Sequence, residues 1–262
     1  MPAYTTQSAQ AELAYPGPLT QAAQGDGVKR LQEWLALSGR GLVLDGNFGP
    51  ATAHALAAFQ ADNGLFPSAI LDEGTWNALT APMQNALDAQ PAPNVPYDIA
   101  VWQVARAHMN QGAAEVGGDN RGPWVRLYAR GTEGKEVQWC AYFVTFILKQ
   151  TATARSSSAP LRGSSSCDTL AKQAQDAGRF VEGSHPDAKG HAPKLQHVSI
   201  FLERKYPIEW VHTGFAYAFQ AGTFQTIEGN YGDKVGEGAE RGASGRTRAL
   251  NGNYDFITIK QW

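Results

Sequence analysis

Two cysteines are the most reactive side chains of this sequence, and one of them lies where a helix should begin. Cys140 follows Trp139 in the stretch VQWCAYFVTF, at the start of a long apolar run. A thiol in the first turn of a helix has a lowered pKa, because the helix N-terminus carries a partial positive charge, and it can act as a nucleophile. Cys167 also precedes a predicted helix, capped by Ser166 or Asp168, but no base accompanies it and we interpret it as structural.

A cysteine nucleophile needs a histidine base within hydrogen-bond reach and a group that orients the imidazole. His212 is the best candidate, because it opens the alternating segment HTGFAYAF, and a turn joins this segment to a second strand, FQTIEGN. With a three-residue loop or a bulge, His212 lies opposite Asn230, and Glu228 lies one diagonal step away on the same face. A two-residue loop without a bulge would move that face out of phase. The predicted site therefore demands an odd loop or a bulge.

Composition excludes several classes of protein. With 22 basic and 24 acidic residues, the chain has no net field that favours nucleic acid or an anionic membrane. The first twenty residues lack a basic segment followed by a continuous apolar one, and no long apolar run occurs elsewhere. We therefore expect a monomer synthesised in the cytoplasm without a signal peptide, with no membrane span. The residue pattern implies neither a metal nor an organic cofactor.

The sequence divides at a proline-rich stretch, residues 81–97, which we predict to be a semi-extended linker. Residues 1–24 form an N-terminal extension, residues 25–80 a small three-helix unit, and residues 98–262 a larger domain. The helical pattern of the small unit depends on an apolar stripe after Asp26, a second helix opening at Thr52, and a third helix capped by Asp72 or Thr75, with Trp76 inward.

The small unit resembles the peptidoglycan-binding modules that are attached to many cell-wall hydrolases. The resemblance rests on VKRLQEWL, on the loop LDGNFGPATAHALAAFQADNGL and on the closing LDEGTWNAL. It implies peptidoglycan as a partner of the chain. Each of these residues taken singly also has a structural explanation, because the glycines permit tight turns and the aromatic side chains fill a core.

The larger domain has helices first and strands afterwards, which favours an α+β fold with helices packed on an antiparallel sheet. The nucleophile helix precedes four strand candidates: residues 197–202, 212–219, 224–229 and 256–260. A long polar insertion, residues 151–196, separates the nucleophile helix from the first of these strands.

Three motifs in this order, WCAYFVTFIL, HTGFAYAF and TIEGNY, resemble the papain-like amidohydrolases and peptidases of the CHAP kind, over residues 98–260. The resemblance implies that Cys140 is the nucleophile, His212 the base and Glu228 the orienting carboxylate. Asn230 would be a further polar member of the site. The implied activity is cleavage of an amide bond of peptidoglycan, either as an N-acetylmuramoyl-L-alanine amidase or as an endopeptidase of the stem peptide or crossbridge.

Other residues around the motif are candidates for contacts with substrate. The backbone N–H of Cys140 and the side chain of Gln138 could bind the oxyanion, and Trp139 and Trp124 could line a groove. Without a signal peptide, the protein would reach the cell wall as an endolysin released by a holin or as a secreted antibacterial effector. An effector would imply a cognate immunity protein as a second partner.

Two alternatives stay open at this point. His185, Asp187 and His191 lie close together in a polar stretch, which suggests a zinc-dependent wall peptidase, although their spacing is unusual for such a site. Alternatively, the larger domain is inactive and the chain is a non-catalytic cell-wall binding protein.

Overall fold

The computed structural model describes residues 2–183, 195, 197–220, 222–231, 242–250 and 252–260, and of residues 242–246 it describes the backbone. The described chain forms an α+β fold, as predicted. Its helices are α1 (Gln7–Leu13), α2 (Asp26–Leu37), α3 (Pro50–Asp62), α4 (Glu73–Leu87), α5 (Tyr97–Asn110), α6 (Pro123–Tyr128), α7 (Cys140–Ala154) and α8 (Cys167–Asp176). Its strands are β1 (Phe180–Val181), β2 (Ser199–Tyr206), β3 (Glu209–Gln220), β4 (Thr223–Tyr231), β5 (Gly242–Ala249) and β6 (Tyr254–Thr258).

Helices α2, α3 and α4 form the small unit, and each begins at or near the predicted position. The Asp72 carboxylate caps α4 by accepting a hydrogen bond of 2.7 Å from the Thr75 amide. Two predicted starts are corrected. The N-cap of α2 is Gly25, with Asp26 inside the first turn, and α3 begins at Pro50, whose fixed φ suits a first helical position.

The predicted linker is wrong in its first part. Helix α4 continues through Pro82 to Leu87, and Met83, Ala86 and Leu87 are fully buried. An apolar stripe at helical spacing therefore outweighs the proline that suggested an extended segment. Residues 88–96 alone connect α4 to α5.

The small unit packs tightly against the larger domain. Arg126 of α6 donates to Glu12 of α1 at 2.8 Å, to Glu33 of α2 at 2.6 Å and to Glu133 at 2.8 Å. Beside this ion cluster, the Trp34 ring meets the Trp124 ring edge-on at 6.5 Å between centroids. Helix α1, which the sequence analysis did not predict, thus helps to fasten the two parts together.

The sheet has the strand order β1-β6-β2-β3-β4-β5, and all neighbours are antiparallel. Helix α7 packs on β3 and β4. The four predicted strands are present as β2, β3, β4 and β6. The prediction missed β1, which has two residues, and β5, whose sequence GASGRTRA lacks an apolar alternation.

Both faces of the sheet carry buried apolar side chains, because alternate residues of a strand point to opposite sides. On β2, Ile200 and Leu202 belong to the large core shared with the helices. Phe201 lies between them in sequence and belongs to a second apolar cluster with Phe224 and Phe256. No helix in the described part of the chain is both long and apolar enough to cross a bilayer.

His108 of α5 lies buried in the core between α6 and α7. Its Nδ1 is 2.9 Å from the Tyr128 hydroxyl, and its Nε2 is 2.9 Å from Oε1 of Gln150. Burial lowers the pKa of His108 to about 4, although the Gln150 hydrogen bond opposes this change. This histidine is therefore neutral in the folded protein at neutral pH, and its role is to link α5 to α6 and α7 through buried hydrogen bonds.

His108 should make the folded protein less stable in mild acid. The pKa is about 4 in the folded state and 6.5 in the reference state. The unfolded chain therefore takes up the proton first, and stability falls as pH drops from 6.5 towards 4, by about 3 kcal/mol in full. Urea unfolding between pH 7 and 4.5 should show a steep loss in the wild type and a shallower one in His108→Gln. The control His54→Gln, which removes an exposed imidazole, should follow the wild type; equal slopes in all three proteins would contradict this role.

Candidate active site

Cys140 is the first residue of α7, and Trp139 is the helix N-cap. The helix forms here because the following residues are apolar on nearly all sides and are buried against the sheet and α5. The thiol is 3% exposed, so it lies at the end of a core helix and just below the surface. The Ala141 amide forms a hydrogen bond with the Cys140 sulfur and contributes to a lowered pKa of this thiol.

The β3–β4 hairpin has the register that the predicted site requires. Gly214 pairs with Glu228 and Tyr217 pairs with Gln225, but Gln220 pairs with Thr223, so the register shifts in between. Ala218 lies in this irregularity with a φ of 49°, in the left-handed region that non-glycine residues seldom adopt. The loop itself is short, and the bulge supplies the extra residue. The demand for a bulge or an odd loop is therefore met.

This register brings His212 and Glu228 together. Nε2 of His212 lies 2.7 Å from Oε2 of Glu228. The other ring nitrogen, Nδ1, does not contact Glu228, and Cys140 and His212 lie close enough for each to shift the pKa of the other. The structure thus brings the three residues Cys140, His212 and Glu228 into one chain of contacts.

Glu228 is fully buried and is held by more than the histidine. Oε1 accepts hydrogen bonds from the Thr226 hydroxyl at 2.5 Å and from Nε of Arg248 at 2.8 Å. Oε2 accepts from Nη2 of Arg248 at 2.7 Å as well as from His212. Each carboxylate oxygen therefore has two donors among the described residues.

The charges in the site reinforce one another. Burial raises the pKa of Glu228, but the Arg248 and His212 hydrogen bonds and charges outweigh it and lower this pKa to about 2. Burial lowers the pKa of His212, but the Cys140 and Glu228 contacts raise it to about 9. At neutral pH, Glu228 is therefore a carboxylate and His212 an imidazolium.

Cys167 lies beside Cys140, a contact that the sequence analysis did not predict. Both cysteines are free and buried, and each is the first residue of its helix. The pKa of Cys140 is lowered well below its usual range, by the hydrogen bond from Cys167 most of all, then by His212 and against the effect of burial. The same hydrogen bond and burial raise the pKa of Cys167. The structure therefore favours a thiolate at Cys140 and a thiol at Cys167.

Gly229 allows α7 to approach β4 closely enough for these contacts. A Cβ atom at position 229 would lie 2.6 Å from Cβ of Phe143 and 2.8 Å from Cζ3 of Trp139. Real side chains do not approach so closely, so any other residue would push the strand away from the helix. The glycine thus sets the distance between the element that carries the thiol and the element that carries Glu228.

The remaining predicted site residues are Asn230 and Gln138, which contact each other, and Trp139 and Trp124, which are buried. Asn230 donates from Nδ2 to Oε1 of Gln138 at 2.8 Å, and Gln138 is exposed. Trp139 and Trp124 are 0% and 1% exposed, so their rings belong to the core and do not line an open groove. Trp139 instead donates from Nε1 to Glu115 at 2.9 Å, which fixes the residue next to Cys140.

Arg248 and Thr226 are site residues that sequence reasoning missed. Arg248 lies on β5, a strand that the apolar pattern did not reveal. A signal was available, because a carboxylate predicted inside a hairpin requires a cationic partner, and RTRA supplies arginines at alternate positions. Nothing in the sequence indicated which of the two arginines faces Glu228.

The residues of the zinc alternative, His185, Asp187 and His191, lie outside the described part of the chain. Within the part that is described, no three His, Cys, Asp or Glu side chains form a group that could hold a metal ion. Around Cys140, the thiol, the imidazole and the carboxylate lie in one chain of contacts, which is the arrangement of a nucleophile, a base and an orienting group.

Residues 24–79 match the family model described as "Putative peptidoglycan binding domain". This range covers α2, α3 and the first half of α4, and the match supports peptidoglycan as a partner of the chain. No curated protein matches the sequence. A similar solved structure is titled "Crystal structure of Burkholderia AP3 phage endolysin"; it is 26% identical over 40% of this chain and 42% of that chain, with a TM-score of 0.25. The chain therefore spans less than half the length of that structure.

The pH dependence of alkylation should show the thiolate at Cys140. Between pH 8.5 and 5.5, an ordinary thiol of pKa about 8.5 loses reactivity several hundredfold, because its thiolate fraction falls. We expect iodoacetamide to modify Cys140 at rates that change less than about tenfold over this range. Mass spectrometry locates the modified cysteine, and Cys140→Ala should leave Cys167 unmodified at acidic pH. A profile like that of an ordinary thiol would contradict the assignment.

Gly229→Ala should separate the thiol from the imidazole. The added methyl group forces β4 away from Phe143 and Trp139, which costs about 1–3 kcal/mol in stability. Cys140 should then show the alkylation profile of an ordinary thiol. Gly41→Ala is a matched control, because a Cβ there meets no atom within 4 Å. A wild-type alkylation profile in folded Gly229→Ala would show that this close packing does not set the site.

Proposed function

We propose that the chain is a peptidoglycan hydrolase that cleaves an amide bond of the cell wall through a thioester on Cys140. The proposal makes it a cysteine amidohydrolase or peptidase of the papain-like, CHAP kind. The observation that carries it is the 2.7 Å contact between His212 and Glu228, with the Cys140 thiol hydrogen-bonded to the same imidazole. The peptidoglycan-binding match at residues 24–79 supports the choice of polymer.

The first half of the reaction forms the thioester. The Cys140 thiolate attacks the carbonyl carbon of a substrate amide, and the negative charge moves to the carbonyl oxygen. The His212 imidazolium then donates its Nδ1 proton to the leaving nitrogen as the C–N bond breaks. Because His212 has a pKa of about 9, it carries this proton at neutral pH.

The second half hydrolyses the thioester. Neutral His212, which gave its proton to the amine, takes a proton from a water molecule that attacks the thioester carbonyl. Collapse of the intermediate expels the Cys140 thiolate and restores the imidazolium. Glu228 stays ionised throughout and holds Nε2, so that Nδ1 faces the reacting atoms.

Two hydrogen-bond donors beside the thiol would assist binding. The backbone N–H of Cys140 lies at the N-terminus of α7, where it has no helical partner and is suited to an oxyanion. Gln138 supplies a second donor from its exposed amide. Its Oε1 is occupied by Asn230, and Nε2 makes a long bond of 3.3 Å to the Lys135 carbonyl. Asn230 thus holds the amide so that Nε2, which uses one N–H on the Lys135 carbonyl, keeps its second N–H for an oxyanion.

The proposed biological role is lysis of bacterial cell walls, as an endolysin released by a holin or as a secreted antibacterial effector. In either role the enzyme acts in the periplasm or cell wall, and an effector would require an immunity protein in the producing cell. Because α1 and α2 are fastened to α6 by Arg126, the wall-binding unit would present the polymer to the site at a fixed distance.

Cys140→Ala should abolish the clearing of isolated sacculi, because it removes the nucleophile. Binding to sacculi in a pull-down should stay at the wild-type level, because residues 24–79 are unchanged. Mass spectrometry of wild-type digests would identify the amide bond that is cut. Full clearing by folded Cys140→Ala would reject the mechanism.

Cys167→Ala separates the roles of the two neighbouring thiols. It should keep turnover, since Cys140 and His212 remain, but its activity should fall at a higher pH than in the wild type because a donor to the thiolate is lost. Activity lost in Cys167→Ala and kept in Cys140→Ala would reverse the assignment.

EDTA should have no effect on clearing by the wild type, whereas inhibition by EDTA and resistance to iodoacetamide would favour the zinc alternative.

A further inference from the structure

The site contains a buried arginine for which the proposed reaction has no direct use. Arg248 forms a fork against Glu228, with Nε on one carboxylate oxygen at 2.8 Å and Nη2 on the other at 2.7 Å. A bidentate arginine fixes both the charge and the plane of a carboxylate. Glu228 cannot rotate about its last bond without breaking one of these hydrogen bonds.

Arg248 is itself held from every side. Nη1 donates to Glu203 at 2.9 Å and to the Tyr254 hydroxyl at 3.0 Å. The guanidinium also lies against three aromatic rings, with centroid distances of 4.9 Å to Phe201, 5.6 Å to Tyr231 and 5.4 Å to Tyr254. Such an enclosure leaves the arginine one orientation, and that orientation is the one that meets Glu228.

The sum of the charges explains why an arginine is needed. Cys140 and Glu228 are anions in the active state, and His212 is a single cation between them; Glu203, on the other side of Arg248, is a partly exposed carboxylate outside this buried group. Without Arg248, this buried group would carry a net negative charge and would take up a proton at a higher pH. That proton would go to Glu228 or to Cys140, and either uptake would destroy the thiolate–imidazolium–carboxylate chain.

We propose that Arg248 is a positioning residue of the active site: it holds Glu228 ionised and in the plane that directs Nδ1 of His212 to Cys140. This inference rests on the proposed function for its reaction, but its structural part concerns the site alone. Arg248 touches neither the nucleophile nor the scissile bond, so it acts through Glu228. Its positive charge sets the acid limit of the site, which is the pH below which Cys140 stops reacting with iodoacetamide. Its fork geometry sets the orientation of the imidazole.

Two substitutions separate these contributions. Arg248→Met removes both charge and fork, so the pH below which Cys140 stops reacting with iodoacetamide should rise by about one unit or more, and kcat on sacculi should fall roughly a hundredfold. KM should change little. Arg248→Lys keeps the charge and loses the fork, so the acid limit should stay near that of the wild type while kcat remains at least tenfold reduced.

Glu203→Gln is the matched control, because it removes the other carboxylate of Arg248 and leaves Glu228 in place. It takes away a negative charge, so it should not raise the acid limit of alkylation. If Arg248→Met fails to fold, as judged by circular dichroism and thermal unfolding, the kcat and acid limit of Arg248→Lys decide the question.

The proposal would be overturned if folded Arg248→Met kept both the kcat and the acid limit of the wild type. A wild-type kcat in Arg248→Lys would overturn the role of the fork geometry. An acid limit raised equally by Glu203→Gln would also overturn it, since any lost ion pair would then have the same effect. A wild type that alkylates at low pH but cleaves no peptidoglycan would reject the proposed substrate alone, because the alkylation readout of Arg248 does not depend on it.

Discussion

A carboxylate with no exposure to water, Glu228, is the constraint on which the rest of the site depends. An ionised group in a protein core is stable only when it is paired and hydrogen-bonded, because it has lost its hydration. His212, Arg248 and Thr226 supply these partners. The Cys140 contact and the negative charge of Glu228 raise the pKa of His212, and the hydrogen bond from Cys167, followed by the imidazolium, favours the Cys140 thiolate. The reactivity of a sulfur atom at the end of one helix therefore depends both on its neighbouring thiol and on a charge placed in the middle of a sheet.

The fold meets this constraint by joining two rigid elements that lie far apart in sequence. Helix α7 places Cys140 at its first turn, and the β3–β4 hairpin places His212 and Glu228 side by side. Gly229 permits the two elements to touch, and the bulge at Ala218 sets which side chains face each other. Both devices are backbone features, and they show that this site is built by packing and register as much as by its reactive side chains.

The sequence allowed the α+β class, four of the strands and the meeting of His212 with Glu228 to be predicted, because helical spacing, strand alternation and hairpin register are local properties. It did not allow β5 to be predicted, since GASGRTRA has no apolar face, and so Arg248 was missed. It misplaced the start of the linker, because the burial of Met83 and Leu87 depends on distant contacts. The proximity of Cys167 to Cys140 was missed for the same reason: two helix starts separated by a polar insertion give no local sign that they meet.

The central claim is that His212 is an imidazolium beside a thiolate at neutral pH. A pH titration of the histidine ring signals by NMR, with His212 assigned by its loss in His212→Gln, tests this claim most directly. The account predicts that the His212 ring titrates with a pKa of about 9 in the wild type and at a lower pH in Cys140→Ala, where the thiolate is absent. A wild-type value at or below 6.5, or one unchanged by Cys140→Ala, would contradict it.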